Sequence, residues 1–337
     1  MFTFAGKLHI NNFSCIMANV IKIKKGLDIN LKGKASDVLL NGGKSESYAI
    51  VPDYYNGILP KVVAKVGEKV KAGSVLMIDK NRPEIKFVSP VSGEVTAVNR
   101  GEKRKVLSIV VKPDAQIEYE EFGKKNVASL QGAEVKEVLL NAGMWPFIKQ
   151  RPYDIVAAPL ETPRDIFVSA FYSAPLAPNF DFIVKGQEAD FQTGLNALAK
   201  LTNGKVYVGV RSGSVVSGMK GVEIVEVEGP HPAANVGVQI NHIKPVNKGE
   251  VVWTVNPADV IVIGRLFNKG VADFSRMVAI TGSETTERGY VKTISGCTIK
   301  SLVNGKVLGQ EHIRIISGNV LTGTKVNMDG YLGAYDN

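Results

Sequence analysis

Residues 66–95 read VGEKVKAGSVLMIDKNRPEIKFVSPVSGEV, and this stretch decides the first part of the fold. Short apolar runs are cut by Gly67, Gly73, Pro83, Pro90 and Gly93. Glycine turns the chain where a side chain would clash, and proline fixes the backbone and removes a donor. Brief strands at this spacing predict a small antiparallel sandwich or barrel. The same punctuation holds from Tyr48 to Val111.

The stretch resembles the biotinyl/lipoyl-type barrel-sandwich domain. In carrier members the lysine of an Asp-Lys hairpin takes the cofactor, which makes Lys80, after Asp79, the candidate here. However, Ser89 lies nine residues beyond Lys80, with Pro83 between. That is longer than a tight carrier hairpin, and a swinging arm needs its lysine at the tip of a sharp turn. A solvated loop lysine is the favoured reading.

Upstream, VIKIKKGLDINL (20–31) alternates apolar and basic residues and then turns at Gly-Leu-Asp, predicting a half-buried strand. Downstream the pattern changes. Gln131 to Gly143 carries Val135, Val138, Leu139 and Ala142 at helical spacing, and Gln187 to Leu201 carries Phe191, Leu195, Leu198 and Leu201 likewise. Ile155-Val156, Ile166 to Phe171, Lys205 to Val210 and Val222 to Val227 read as strands. Asn256 to Phe267 reads as a helix with an Asn cap and Pro at its first position. Alternating strands and helices predict an α/β domain with a mostly parallel sheet. From Arg276 the order strand, strand, short helix, strand predicts a small α+β unit. The final GYLGAYDN reads as strand-like and looks cut.

Composition limits the function. Cys15 and Cys297 are too few for a disulfide framework or an iron–sulfur cluster. His9, His231, His242 and His312 show no metal-ligand spacing. No stretch approaches the length of a membrane span. Residues 1–16 read as a leader before Met17, without the features of a signal peptide, and a cytoplasmic location is expected. Residues 1–125 hold 21 Lys+Arg against 13 Asp+Glu, whereas residues 126–337 hold 20 against 19. The lysines carry few interleaved aromatics and no nucleic-acid motif, so an acidic membrane surface or partner is the expected counterpart.

Four local motifs have a bland and a functional reading. Gly209-Val-Arg-Ser-Gly213-Ser, with Arg211, could cradle a phosphate, but its spacing is wrong for a dinucleotide fingerprint and an ordinary loop is favoured. Ser295-Gly296-Cys297-Thr298 is like the motif to which flavin phosphates are attached, yet small residues at a helix start need no cofactor. The loop Gly229 to Asn235 holds His231 between two prolines. With His242 it could contact a carbonyl-bearing ligand, against the alternative of a structural corner. Trp145 and Phe147, in MWPFIKQRP (144–152), could mark a binding surface, but a plug between two domains is favoured.

Longer pieces resemble one family as a whole. MANVIKIKKGLDINLKG, DKNRPEIKF with SPVSGEVTAVNRGEKR, NGKVYVGV, EGPHPAANVGVQINHIKPVN and IRIISGNVLTGT fall in the order of the A subunit of the bacterial sodium-translocating NADH:quinone oxidoreductase. More distantly the chain is similar to the C subunit of Rnf-type complexes and the flavin-carrying NADH subunit of complex I. The resemblance implies an α/β multidomain fold. A barrel-sandwich hybrid domain would occupy 17–125, a Rossmann-like domain 126–275 and a truncated β-grasp domain of SLBB type 276–337. It implies a peripheral subunit on the cytoplasmic face of the inner membrane, docked on the integral membrane quinone-site subunit. Quinone would be the substrate; NAD(H), flavins and iron centres would sit on other subunits. No catalytic or metal residue is expected, and Trp145, Phe147, His231 and His242 are the quinone-proximal candidates. Family members continue into a helical domain past the point where this chain stops. The alternatives are an Rnf-type or complex I-type flavin subunit, or a lipoyl/biotin-like carrier. In flavin-bearing relatives the loop after the first helix is Gly-rich; here it is the bulky Trp145 to Pro152, which would fill such a pocket.

Overall fold

The computed structural model describes residues 20–309 and 313–337, so the expected leader at 1–16 lies outside the described residues. The first module stacks two antiparallel sheets. One contains Tyr48–Ile50, Val106–Pro113, Gly93–Arg100 and Lys69–Val70, in that order. The other contains Pro60–Val62, Val75–Asp79 and Lys86–Val88. Leu76, Met77, Ile85, Phe87, Val95 and Ile109 fill the space between them.

The tip of the hairpin between Asp79 and Lys86 is fastened down. Buried Asp79 accepts hydrogen bonds from the Leu59 and Asn81 N–H groups at 3.0 and 3.1 Å, and pairs with Arg82 Nε at 2.7 Å. Arg82 then donates to the carbonyls of Val156 in the second module, at 3.1 Å, and of Gly57, at 2.9 Å. Lys80 itself is exposed in this clamped loop. A turn tied to its neighbour through a buried carboxylate is unsuited to a swinging arm.

The second module is built on a seven-stranded sheet. Its order is Val20–Lys22, Glu223–Glu228, Val206–Val210, Ile166–Ser169, Val252–Val255, Ile148–Arg151, Ile155–Val156. The first five strands are parallel, and Ile148–Arg151 pairs antiparallel with both of its neighbours. The expected helices form at Gly132–Asn141, Glu188–Ala199 and Pro257–Lys269, and the apolar positions predicted for the first two are buried. Asn256 Oδ1 caps the last of these by accepting from the Ala258 N–H at 3.0 Å. The Glu188–Ala199 and Pro257–Lys269 helices cross backbone to backbone. A Cβ on Gly264 would lie 1.7 Å from the Asp190 carbonyl, so only glycine permits the approach.

The third module pairs Ser275–Ile280 with Gly289–Ile294, adds the short helix Ile299–Val303, and ends in a small hairpin, Ile315–Ser317 with Thr324–Val326. Its core is Val278, Ile280, Val291, Cys297, Ile299, Leu302 and Leu332. The final residues are not a strand beyond one bridge between Thr298 and Tyr331. They fold back onto the other modules: Tyr335 donates to the Pro146 carbonyl at 2.7 Å.

The early segment also departs from expectation. Only Val20–Lys22 is a strand, and it pairs with Glu223–Glu228 of the second module rather than with the barrel-sandwich sheets. The chain then crosses to the third module, where Leu39–Leu40 pairs in parallel with Tyr290-Val291. Barrel-sandwich strands begin only at Tyr48. Alternation marked 20–31 as half-buried, but a local pattern does not name the sheet a strand joins. This strap is held by close backbone contacts. Gly33 has φ +104°, and a Cβ there would meet the Gly282 backbone at 2.2 Å. Gly33→Ala should therefore lower stability by roughly 1–3 kcal/mol through strain and clash, read as a lower urea-unfolding midpoint. An unchanged midpoint would mean that the strap is not fixed there.

Candidate functional site

In an open α/β sheet, ligands bind beyond the carboxyl ends of the strands, where the strand order reverses. Here that point lies between Ile166–Ser169 and Val252–Val255. From the first strand the chain proceeds outward to Val206–Val210 and Glu223–Glu228, then returns to the other side. A cleft of about 510 Å³ opens at this position. Phe171 and Tyr172 reach it from the loop after the first strand, Asn256 from the end of the second, Phe147 and Lys149 from the antiparallel strand region, and Tyr335 from the returning tail.

The wall combines aromatic faces with donors. Lys149 Nζ lies 4.0 Å from the Tyr335 ring centroid, a cation–π contact. Tyr335 meets Tyr55 edge-on at 5.7 Å and Phe147 at 6.4 Å. The Tyr172 hydroxyl donates to Asn256 Oδ1 at 3.1 Å and accepts from Asn337 Nδ2 at 3.2 Å. Arg151 and Asp154 form an ion pair at 3.4 Å along one side.

Behind the cleft sits a buried ion pair between modules. Asp259, on the Pro257–Lys269 helix, accepts from Arg276 Nη2 at 2.9 Å. Their side chains are 0% and 2% exposed. Arg276 Nη1 also donates to the Asp336 carbonyl at 3.1 Å, so the tail closes over the pair. Among the described residues Asp259 Oδ2 and Arg276 Nε have no hydrogen-bond partner. Burial pushes the Asp259 carboxyl up to about 6, against the charge and hydrogen bond of Arg276 and the charge of Lys149.

The sequence candidates separate in space. Phe147 lines the cleft. Trp145 is fully buried, donates its indole N–H to the Ala157 carbonyl at 2.8 Å, and meets Trp253 edge-on at 5.3 Å. It is part of the packing beneath the site. His231 Nδ1 shares a hydrogen bond with Ser173 Oγ at 3.0 Å, and its backbone N–H donates to Asp28 at 2.8 Å. His242 is exposed on the helix Val236–Ile243, with Nδ1 2.8 Å from the Val238 carbonyl. Neither histidine lines the cleft.

Two other motifs are occupied structurally. Arg211 donates to the Gly229 carbonyl at 2.9 Å and lies over the Phe171 ring at 4.6 Å, bracing loops. The Thr298 N–H donates to Ser45 Oγ at 2.9 Å, joining the segment that leads into the first barrel-sandwich strand to the third module. Burial raises the Cys297 thiol pKa.

Sequence reasoning missed Lys149, Tyr172 and Tyr335 as lining residues, and Asp259 and Arg276 as the pair behind them. Asp259 was detectable in principle: an acid within PADVIVIGRLF has no polar face to occupy. The others come from separate strands and loops, with no shared spacing to expose them.

Among the described residues no group of His, Cys, Asp and Glu is arranged to hold a metal ion. No described helix is long and apolar enough to cross a membrane.

This architecture defines a three-module α/β protein of barrel-sandwich, α/β and SLBB domains. Residues 21–114 match the NqrA N-terminal barrel-sandwich hybrid domain, 130–272 the NqrA second alpha/beta domain, and 277–328 the NQRA C-terminal (SLBB) domain. The A subunit of the Na(+)-translocating NADH-quinone reductase of Neisseria meningitidis serogroup A is 36% identical over 323 residues, covering 94% of this chain and 72% of that protein. Its namesake from Hahella chejuensis is 37% identical over 324 residues, with the same coverage. The chain belongs to the NqrA family, the A subunits of the Na(+)-translocating NADH-quinone reductase, an oxidoreductase complex. Among solved structures, an NAD+-reducing NiFe-hydrogenase superposes with a TM-score of 0.38 at 11% identity, covering 52% of this chain and 40% of that one. That superposition is too loose to establish a common fold.

The buried pair gives a signed pH prediction. An unfolded Asp titrates near ~3.9, whereas folded Asp259 titrates at about 6. Protonation therefore favours the folded state. The contribution is fully present below pH ~4 and is lost as pH rises through about 6. Asp259→Asn should flatten the profile of unfolding temperature over that window. Asp259→Ala should cost about 3–5 kcal/mol by stranding the buried guanidinium. An identical pH profile in wild type and Asp259→Asn would refute the assignment.

Proposed function

We propose that this chain is a peripheral subunit of the sodium-pumping reductase and that its cleft takes the quinone headgroup. On the cytoplasmic face it docks on the integral membrane quinone-site subunit, and quinone reduction in the assembled complex is coupled to Na⁺ export. The redox chemistry with NAD(H), flavins and iron centres belongs to other subunits; this chain carries no redox group of its own.

The observation that carries this reading is the composition of the cleft. A quinone is a flat ring bearing two carbonyl acceptors. Phe147, Phe171, Tyr172 and Tyr335 offer ring faces and edges, while Lys149 and Asn256 supply N–H donors. Aromatic surface with a few convergent donors suits such a ligand. The packed turn Trp145–Phe147 supports the same reading over a flavin-bearing one, since its side chains are buried where a Gly-rich loop would leave room for a cofactor.

The test is titration of the protein with a water-soluble short-chain ubiquinone, followed by NMR shifts and tryptophan emission. Saturable binding is expected, with affinity falling about three- to tenfold in Tyr172→Ala, the worth of one aromatic contact. Absence of saturation, or an affinity indifferent to both Tyr172 and Phe147, would overturn the quinone assignment.

A further inference from the structure

The strap that crosses from the second module to the third carries surface that the cleft and its packing do not use. Its backbone is fixed at successive points. The Ile23 N–H donates to the Glu228 carbonyl and the Leu27 N–H to the His231 carbonyl, both at 2.8 Å. The Gly282 N–H donates to the Gly33 carbonyl, and the Tyr290 N–H to the Val38 carbonyl, also at 2.8 Å. A Cβ on Gly26 would meet the His231 carbonyl at 2.2 Å, so the strap lies hard against that loop. Between these anchors Leu27, Ile29 and Leu31 are 69%, 43% and 45% exposed.

Scattered exposed apolar residues need no explanation. Three within five positions, on a backbone already immobilised, are different: their ordering entropy is spent in folding rather than on binding. Charge surrounds them. Residues 20–34 contain five lysines against a single aspartate. Asp28 accepts the His231 N–H, and Lys22 pairs with Glu228 at 3.5 Å. Among the described residues Lys24, Lys25, Lys32 and Lys34 make no ion pair, and Lys24, Lys25 and Lys32 are exposed. At the start of the strap, Val20–Lys22 is the last strand of its sheet, with no described strand on its outer side. Its outward backbone groups are a template for an added extended segment.

We infer that the strap, Val20 to Lys34, is a docking surface for an extended apolar segment, bearing carboxylates, from another subunit of the reductase complex. This rests on the reading of the chain as a subunit of that complex. The partner's apolar side chains cover Leu27, Ile29 and Leu31, and its Asp or Glu residues meet the four lysines. The fixed backbone favours a protein over a bilayer, because insertion among lipid tails draws no benefit from a pre-set side-chain arrangement.

The experiment co-expresses the full chain with the remaining subunits of the complex and purifies through a tag on this chain. The combined variant Leu27→Glu, Ile29→Glu, Leu31→Glu should retain about tenfold less of the membrane subunits than wild type. The side chains are exposed, so its circular dichroism and unfolding temperature should be unchanged. Lys24→Glu with Lys25→Glu should lower retention more at low salt than at high. In the wild-type complex, amides of 20–34 should exchange hydrogen more slowly than in the free chain. Equal retention of the triple variant, together with unchanged exchange, would overturn the docking surface while leaving the subunit reading intact. Failure of the wild type to retain any subunit would overturn that reading and the inference with it. If vesicles of phosphatidylglycerol and phosphatidylethanolamine bind wild type but not the triple variant, and assembly is unaffected, the surface belongs to lipid and the inference is wrong.

Discussion

The seating of the third module on the second centres on the ion pair between Asp259 and Arg276. It joins the longest helix of the second module to the first strand of the third, where neither charge reaches water. Such a pair gains little over a well-packed apolar contact, because desolvation consumes most of its Coulomb energy. Its effect is specificity: a sliding of one module over the other would leave two buried charges unpaired. The tail tightens this constraint. By donating to the Asp336 carbonyl, Arg276 holds the segment that puts Tyr335 into the cleft wall and Asn337 against Tyr172. The site thus inherits its geometry from an interaction outside it.

The same logic applies where the barrel-sandwich module meets the sheet. Asp79 and Arg82 form a second carboxylate–guanidinium clamp, and Arg82 finishes on a carbonyl of the second module. A carrier would need its lysine at the free tip of a sharp turn. Here its most conspicuous residue, Lys80, is a bystander, and the chemistry of the loop lies in the residues on either side.

The basic excess also changes meaning once the path of the chain is known. In the sequence it belongs to the first 125 residues, read as one module. In the fold, five of those lysines lie on the strap, whose segment pairs with the sheets of the other two modules. The hairpin containing Lys103, Arg104 and Lys105 is exposed too, with Lys105 tied to Asp53 at 2.6 Å. The positive surface is therefore shared among modules rather than confined to one.

Much was legible in the residues themselves. Glycine and proline spacing around Val66–Val95 marked the sandwich, the apolar repeats of 131–143 and 187–201 marked helices with their buried faces, and Asn256 with Pro257 marked the start of a third, because periodicity and capping are local properties. The bulk of Trp145 and Phe147 pointed to a plug between domains, and both side chains are buried. The tertiary structure alone decided which sheet Val20–Lys22 joins, that Tyr335 returns to the cleft, and that Asp259 finds Arg276. It also placed His231 and His242 outside the lining of the cleft. These outcomes depend on contacts between residues far apart in the chain, and a sequence pattern records the face a residue presents but not the partner that meets it.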